Sequence, residues 1–386
     1  MIVVRSVVAL TVVALLFISA GGATNLPAPE LSPATTRPTR DAARIPEPRV
    51  AQQARYVSPR GSDSNPGTLK RPWRTIGKAM RTLVPGKTAY LRTGIYREAI
   101  DVPCGTSHNT LQWNRSGRPG APITISGYPG EERRVVVRTK IKLNGSNLRL
   151  VNLVRARNSA FNPIDKGCTC DANVNVYGDE VEISGLEIRD SNNSGIYLKE
   201  ANRTKILGNW IHDNGAHPTQ DHGIYYGSGT GGVIANNIIE RNLGYGIHMY
   251  PRPSGQTIVH NTIVGSGNAG IVLSTSGSHI VIVNNISAWN DDYGIRTGGD
   301  GCDECWADQN VLYGNASDAY YLPEDLTVHR TIEADPLFVD RGRMNYRLLA
   351  RSPAVNTARI DYSRPFDYDG HSRPRGAGPD IGSYER

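Results

Sequence analysis

The sequence predicts an all-β chain wound as a parallel β-helix, with a short helix capping its N-terminal end. Three observations predict it. A Gly-Ile pair recurs at Gly195-Ile196, Gly223-Ile224, Gly246-Ile247, Gly270-Ile271 and Gly294-Ile295, at steps of 28, 23, 24 and 24 residues. An asparagine keeps time with it, at Asn209, Asn237, Asn261, Asn285 and Asn310. Between these markers lie short runs such as VIANNIIERN and IVIVNNISAWN, too short and too β-branched for helices. Two markers locked to one period mean stacked coils.

The elements follow in order. Residues 1–23 read as a secretory leader: Arg5, the apolar run Val7 to Ile18, then small residues ending near Ala23. The run is short for a membrane span, so no span is expected in the mature chain. No cysteine near the cleavage point suggests a lipid anchor. Residues 24–54, rich in Pro, Ala, Thr and Arg, read as a flexible linker. Residues 55–335 are expected to form the β-helix with its N-terminal cap. In PWRTIGKAMRTL, Trp73, Ile76, Ala79, Met80 and Leu83 share one helical face. Each later coil contributes short strands that pair with the coils above and below, spaced by about 4.8 Å. The asparagines are expected to form a ladder at one corner, satisfying polar groups the stack would otherwise bury, with Asn152 extending it one coil earlier. Residues 336–386 are expected to form a C-terminal capping segment, because uncovered strand edges recruit other chains.

The formal charge is +7, of which residues 1–55 carry +3 and the remainder of the chain +4. This modest excess is compatible with an anionic polymer as partner. No basic, aromatic-interleaved motif suggests nucleic acid. The five cysteines, Cys104, Cys168, Cys170, Cys302 and Cys305, read as disulfides in a secreted chain. Cys302–Cys305 is a plausible local pair, and Cys104 can join Cys168 or Cys170. A zinc site from the last four cysteines is the weaker alternative.

The strings YVSPRGSDSNPGTLKRPWRTIGKAM, YLRTGIYRE and PITISGYPGE resemble the start of secreted right-handed parallel β-helix proteins of the pectate-lyase-like superfamily. ADPLFVD, YRLLARSPAVNTA and DYDGHSRPRGAGPDIGSYE resemble the ending many of them carry. The resemblance spans roughly residues 55–386 and implies a right-handed β-helix. It implies no single activity, because the superfamily holds lyases, epimerases, hydrolases and non-catalytic surface proteins. No family-wide catalytic motif maps onto the chain.

Candidate site residues come from aligning the coils. If each Gly-Ile isoleucine points inward, the next residue points out. The outward column is then Tyr197, Tyr225, His248, Val272 and Arg296, and a second holds Lys199, Gly227, Tyr250, Ser274 and Gly298. Ladder asparagine to next glycine takes nine residues in three coils but 14 from Asn209 to Gly223. The five extra residues fall in HDNGAHPTQDHG, with His212, Asp213, His217, Asp221 and His222. This loop is expected beside Tyr225 and His248. A second loop, TGGDGCDECWADQ, is expected to form another wall with Asp300, Asp303, Glu304 and Trp306. An aromatic groove flanked by a titratable loop suits a sugar-binding cleft.

The leading expectation is a secreted, monomeric polysaccharide lyase acting on a uronic-acid polymer. β-Elimination needs a base for the C5 proton, an acid for the leaving oxygen and positive charge at the carboxylate. His248 or Lys199 is the expected base, Tyr225 the acid or sugar platform and Arg296 the neutraliser. His222 and Asp221 would orient groups in the cleft, and Tyr197 and Tyr250 would contact sugar. Calcium is the other way to neutralise the carboxylate. Its candidate ligands are Asp291, Asp292, Asp300, Asp303 and Glu304, which match no known calcium loop. A glycoside hydrolase would need opposed carboxyl groups, and Asp190, Asp213 and Asp221 form no recognisable pair. A uronate epimerase shares the first step with a lyase. A non-catalytic carbohydrate-binding or cell-surface protein would need only the aromatic columns.

Overall fold

The computed structural model describes residues 54–98, 110–156, 172–274, 276–299, 301–322 and 326–386. The leader, the linker, Asp300 and the cysteines Cys104, Cys168 and Cys170 lie outside the described residues. Three long parallel sheets of eleven, nine and ten strands run the length of the molecule. Successive strands of one sheet come from successive coils, as a right-handed β-helix requires.

The Gly-Ile strands form the nine-stranded sheet, hereafter the Gly-Ile sheet. Ile196, Ile224, Ile247, Ile271 and Ile295 stand in register and are fully buried in the interior. The preceding glycine is dictated by crowding. A Cβ on Gly246 would lie 2.5 Å from Ile263 Cγ2 and 2.6 Å from the Gly270 carbonyl oxygen. Gly223 and Gly195 face the same obstruction from Ile239 and Ile211. A side chain there would push adjacent coils apart.

The asparagine ladder forms as expected from Asn209 to Asn310. The backbone N and the Nδ2 of Asn209 both donate to Asn237 Oδ1 at 2.9 Å, and the pattern repeats to Asn261, Asn285 and Asn310. Each Nδ2 also donates to a backbone carbonyl, that of Ile234 for Asn261. All five residues are fully buried. Asn152 does not extend the ladder. Its φ is 53°, and it heads a corner column of left-handed residues continued by Gly185, Gly208, Asn236, His260 and Asn284. The ladder lies one residue later, where the earlier coils carry Leu153 and Leu186. Asparagine and glycine tolerate the left-handed corner, which explains an asparagine outside the ladder. A second ladder runs down another corner: Asn214 donates to Asn242, Ser266 to Asn290, and Asn290 to Asn315.

The expected helix spans Ile76–Thr82. Thr75 Oγ1 caps it by accepting from Lys78 N at 3.0 Å. Trp73, Ile76, Ala79, Met80 and Leu83 are all buried in the cluster that lines the coil interior. Cys302 and Cys305 form a disulfide. That bond takes two of the four thiols the zinc alternative needed.

Residues 336–386 pack along a flank. Phe338, Met344, Tyr346, Leu348, Tyr368, Ile381 and Tyr384 cover the outward side chains Trp210, Ile238, Val264 and Ile286 of the ten-stranded sheet. The segment also bonds coil corners in succession. Arg373 Nη1 donates to Asn236 Oδ1 at 2.9 Å, Ser383 N to Thr262 Oγ1 at 3.0 Å, Arg359 N to Asn284 Oδ1 at 2.7 Å, and Gln309 Nε2 to the Thr357 carbonyl. Trp306 of the second loop sits under this segment against Tyr362 and Arg359, on the outer face of the eleven-stranded sheet. It does not form a wall beside the Gly-Ile sheet.

Candidate functional site

The expected outward column exists as a register row across the Gly-Ile sheet. Tyr197, Tyr225, His248, Val272 and Arg296 are successive partners, preceded by Gln112, Lys142 and Asn175 and followed by Tyr321. Strand spacing alone brings neighbouring rings together. Tyr197 and Tyr225 have centroids 5.2 Å apart, and Tyr225 stacks on His248 at 5.1 Å with planes 12° apart. Tyr250 stacks on His248 from the second column at 5.9 Å. Tyr177 extends the ribbon with an edge contact to Tyr197. At Gly227 a Cβ would stand 2.9 Å from the Leu198 carbonyl oxygen, which fixes a glycine in the second column.

His222 and His248 form a coupled pair with a fixed proton arrangement. The backbone N–H of Tyr245 donates to His222 Nδ1 at 3.2 Å. A backbone amide can only donate, so neutral His222 carries its proton on Nε2. That atom lies 3.0 Å from His248 Nδ1 and donates to it. Neutral His248 therefore carries its proton on Nε2, which is buried without a partner. Burial lowers the pKa of His248 to about 4. Burial, with His248 beside it, lowers that of His222 to about 2. Both rings are neutral near pH 7, and His248 presents an N–H rather than a lone pair. This arrangement argues against His248 as the base. Tyr245, stacked on His222 with centroids 4.9 Å apart, was not singled out in the sequence. Its role rests on a backbone N–H that no residue pattern encodes.

The remaining expected residues divide. Lys199 is exposed and lines, with Tyr177, Asp179, Glu200 and Asn202, a shallow cavity of about 510 Å³ beside the ribbon. Arg296 is two strands beyond His248, about 10 Å away along the stack, with the buried Val272 between. Its Nη1 pairs with Asp292 at 3.2 Å and its guanidinium lies over Tyr321. The structure therefore does not gather Arg296 with His248 and Tyr225. Asp221 braces the insertion, Oδ2 accepting from Ala216 N at 2.8 Å and His217 N at 2.7 Å. Its carboxylate does not serve the cleft as expected. His212 lies on the ten-stranded sheet, stacked on Trp210.

Asp300 lies outside the described residues, and several of the other carboxylates singled out for calcium or hydrolysis are engaged by neighbouring side chains. Asp292 is held by Arg296 and Ser317, and Glu304 pairs with His279 at 2.9 Å. Among the described residues, the candidate ligands between 291 and 304 do not converge on one point. Asp213 is neutralised by Arg241 and His212, and Asp190 by Arg189, at a corner away from the ribbon.

The family model for the Pel9A-like right-handed beta helix region matches residues 55–321, well over half of the chain. The chain belongs to that family. Among solved structures it is similar to pectate lyase Pel9A, at 16% identity over 87% of this chain and 96% of that one, with a TM-score of 0.63. A glycoside hydrolase is similar at 10% identity, 77% and 99% coverage and a TM-score of 0.56. These likenesses establish the fold. Two curated relatives match in short stretches. The uncharacterized protein YwoF of Bacillus subtilis is 40% identical over 76 residues, 20% of this chain and 14% of that protein. Pectate lyase PEL9 of Emericella nidulans is 36% identical over 84 residues, 22% of this chain and 18% of that protein. This chain thus aligns with less than a fifth of either relative's length. Among the described residues, no helix is long and apolar enough to cross a membrane.

Proposed function

We propose that this protein is a secreted, monomeric polysaccharide lyase that cleaves a uronic-acid-containing polymer by β-elimination. The observation that carries the reading is the ribbon Tyr177–Tyr197–Tyr225–His248, with Lys199 at its edge. Flat rings in a row suit the faces of successive sugars. Pectate lyases among the similar proteins make pectate the first polymer to try. The leader-like N-terminus and the Cys302–Cys305 disulfide support export.

The roles follow from the proton arrangement. Lys199 Nζ takes the C5 proton, the C5–H electron pair forms the C4=C5 double bond, and the C4–O bond breaks. The departing oxygen leaves with the C4–O electron pair and takes a proton from water, while His248, its Nε2–H buried, holds the Tyr225 ring by stacking. Tyr225 is the platform. Arg296 is too distant to serve the same carboxyl group and binds the carboxylate of another sugar along the chain.

The test is a panel of pectate, alginate, hyaluronan, chondroitin and glucuronan, followed by ultraviolet absorbance of an unsaturated product and by reducing ends. Lys199→Ala is expected to abolish absorbance on the cleaved polymer while binding persists. Reducing ends without absorbance would overturn the lyase in favour of a hydrolase. A polymer that binds through Tyr225 but is never cleaved points to the second reading, a non-catalytic binding protein, which the ribbon alone would satisfy.

A further inference from the structure

A cluster of potential ligands lies outside the cleft, in the turn Asp367–His371 of the C-terminal segment. The turn closes on itself: Asp367 N donates to the His371 carbonyl at 2.9 Å, and His371 N donates to Asp367 Oδ1 at 2.7 Å. Gly370, at φ 87°, lets the chain reverse. The reversal brings one ligand atom each from Asp367, Asp369 and His371 within 4.8 Å of one another. The carboxylates of Asp367 and Asp369 are essentially inaccessible, whereas the His371 ring is 30% exposed.

The bonding of the cluster is incomplete. Asp369 Oδ2 accepts from Arg347 Nη2 at 2.5 Å, but Asp369 Oδ1 is buried with no partner. His371 Nδ1 is also buried without a hydrogen bond and lies 3.4 Å from Asp367 Oδ2. Buried carboxylate oxygens are normally satisfied, and each orphan is costly. Here a carboxylate oxygen and an imidazole nitrogen both lack a hydrogen bond within one three-residue cluster of potential ligands. A cation would satisfy both at once.

We propose that Asp367, Asp369 and His371 form a divalent-cation site that clips the C-terminal segment closed. The donor set names the class of ion. One imidazole nitrogen with two carboxylate oxygens suits zinc or manganese, whereas calcium prefers an all-oxygen shell. Bond lengths near 2.1 Å require the three atoms to draw in slightly from their present separations. The exposed edge of the His371 ring leaves room for water to complete the shell. The site is structural: it lies in the segment that covers the ten-stranded sheet.

Untagged protein, stripped with chelator and dialysed, is titrated with zinc, manganese and calcium chlorides by calorimetry and thermal melting. The expected result is one equivalent of zinc or manganese, with a melting temperature several degrees higher when loaded. His371→Ala, at a partly exposed ring, and Asp369→Asn should each weaken binding at least tenfold. Both should keep the far-ultraviolet spectrum of the stripped wild type. No saturable zinc or manganese binding, or binding unchanged in a folded His371→Ala, would overturn the site. Calcium bound in preference to both would overturn the nitrogen ligand. None of these readouts depends on polymer cleavage.

Discussion

His248 illustrates how a residue's chemistry is set by neighbours it does not choose. Its place beside Tyr225 follows from the coil period and was legible in the sequence. Its proton arrangement was not, because it descends from the Tyr245 amide through His222. Nitrogen chemical shifts should show both rings neutral near pH 7 and protonated on Nε2. The depressed pKa values also fix a pH dependence. An unfolded histidine titrates near 6.5, so below that pH the unfolded chain takes up protons that the folded pair refuses. Stability from the pair is therefore complete above about pH 6.5. It is lost as pH falls toward about 4 for His248 and about 2 for His222. At pH 5 each ring accounts for a loss of about 2 kcal/mol at most. Urea melts of wild type and His248→Phe at pH 7 and pH 5 check this. The variant should lose less stability on acidification than wild type.

At the scale of the element, the corners matter more than the strands. Asn261→Ala would leave Asn237 N and Nδ2 without their shared acceptor and the Ile234 carbonyl without a donor, all in the interior. We expect a loss of about 2–4 kcal/mol, measured by denaturant unfolding, against a near-neutral change at Asn268→Ala outside the ladder. Gly246→Ala should destabilise by a similar amount, because its Cβ has no space beside Ile263. Both markers were legible because each repeats through five successive coils. Asn152 was misplaced by one residue because asparagine suits two adjacent corner positions for different reasons: one wants its amide, the other its tolerance of positive φ. The second ladder escaped notice because Ser266 interrupts its run of asparagines.

For the whole molecule, the C-terminal segment changes what kind of solenoid this is. Its position along the flank was not legible, because outward residues such as Trp210 and Ile238 look like ordinary strand positions until something covers them. One contact reports on its docking. Tyr346 OH donates to Glu240, a carboxylate with no solvent exposure that also accepts from Trp210 Nε1 at 2.7 Å. Tyr346→Phe should cost about 1–3 kcal/mol by removing a donor from a buried charge. Circular dichroism during urea unfolding provides the measurement.

The same segment has a consequence for how the protein can evolve. Ordinary solenoids gain and lose whole repeats readily, since each coil touches only its neighbours. Here Arg373 grips Asn236 and Arg359 grips Asn284, two coils further on. Adding or deleting one coil between those points would shift the two grips by one strand spacing, about 4.8 Å, and they could no longer both engage. The segment is a gauge cut to a set number of turns. Changes in coil number are tolerable only before Asn236, so lineages of this protein should vary in length near the helix end and hold constant beneath the gauge.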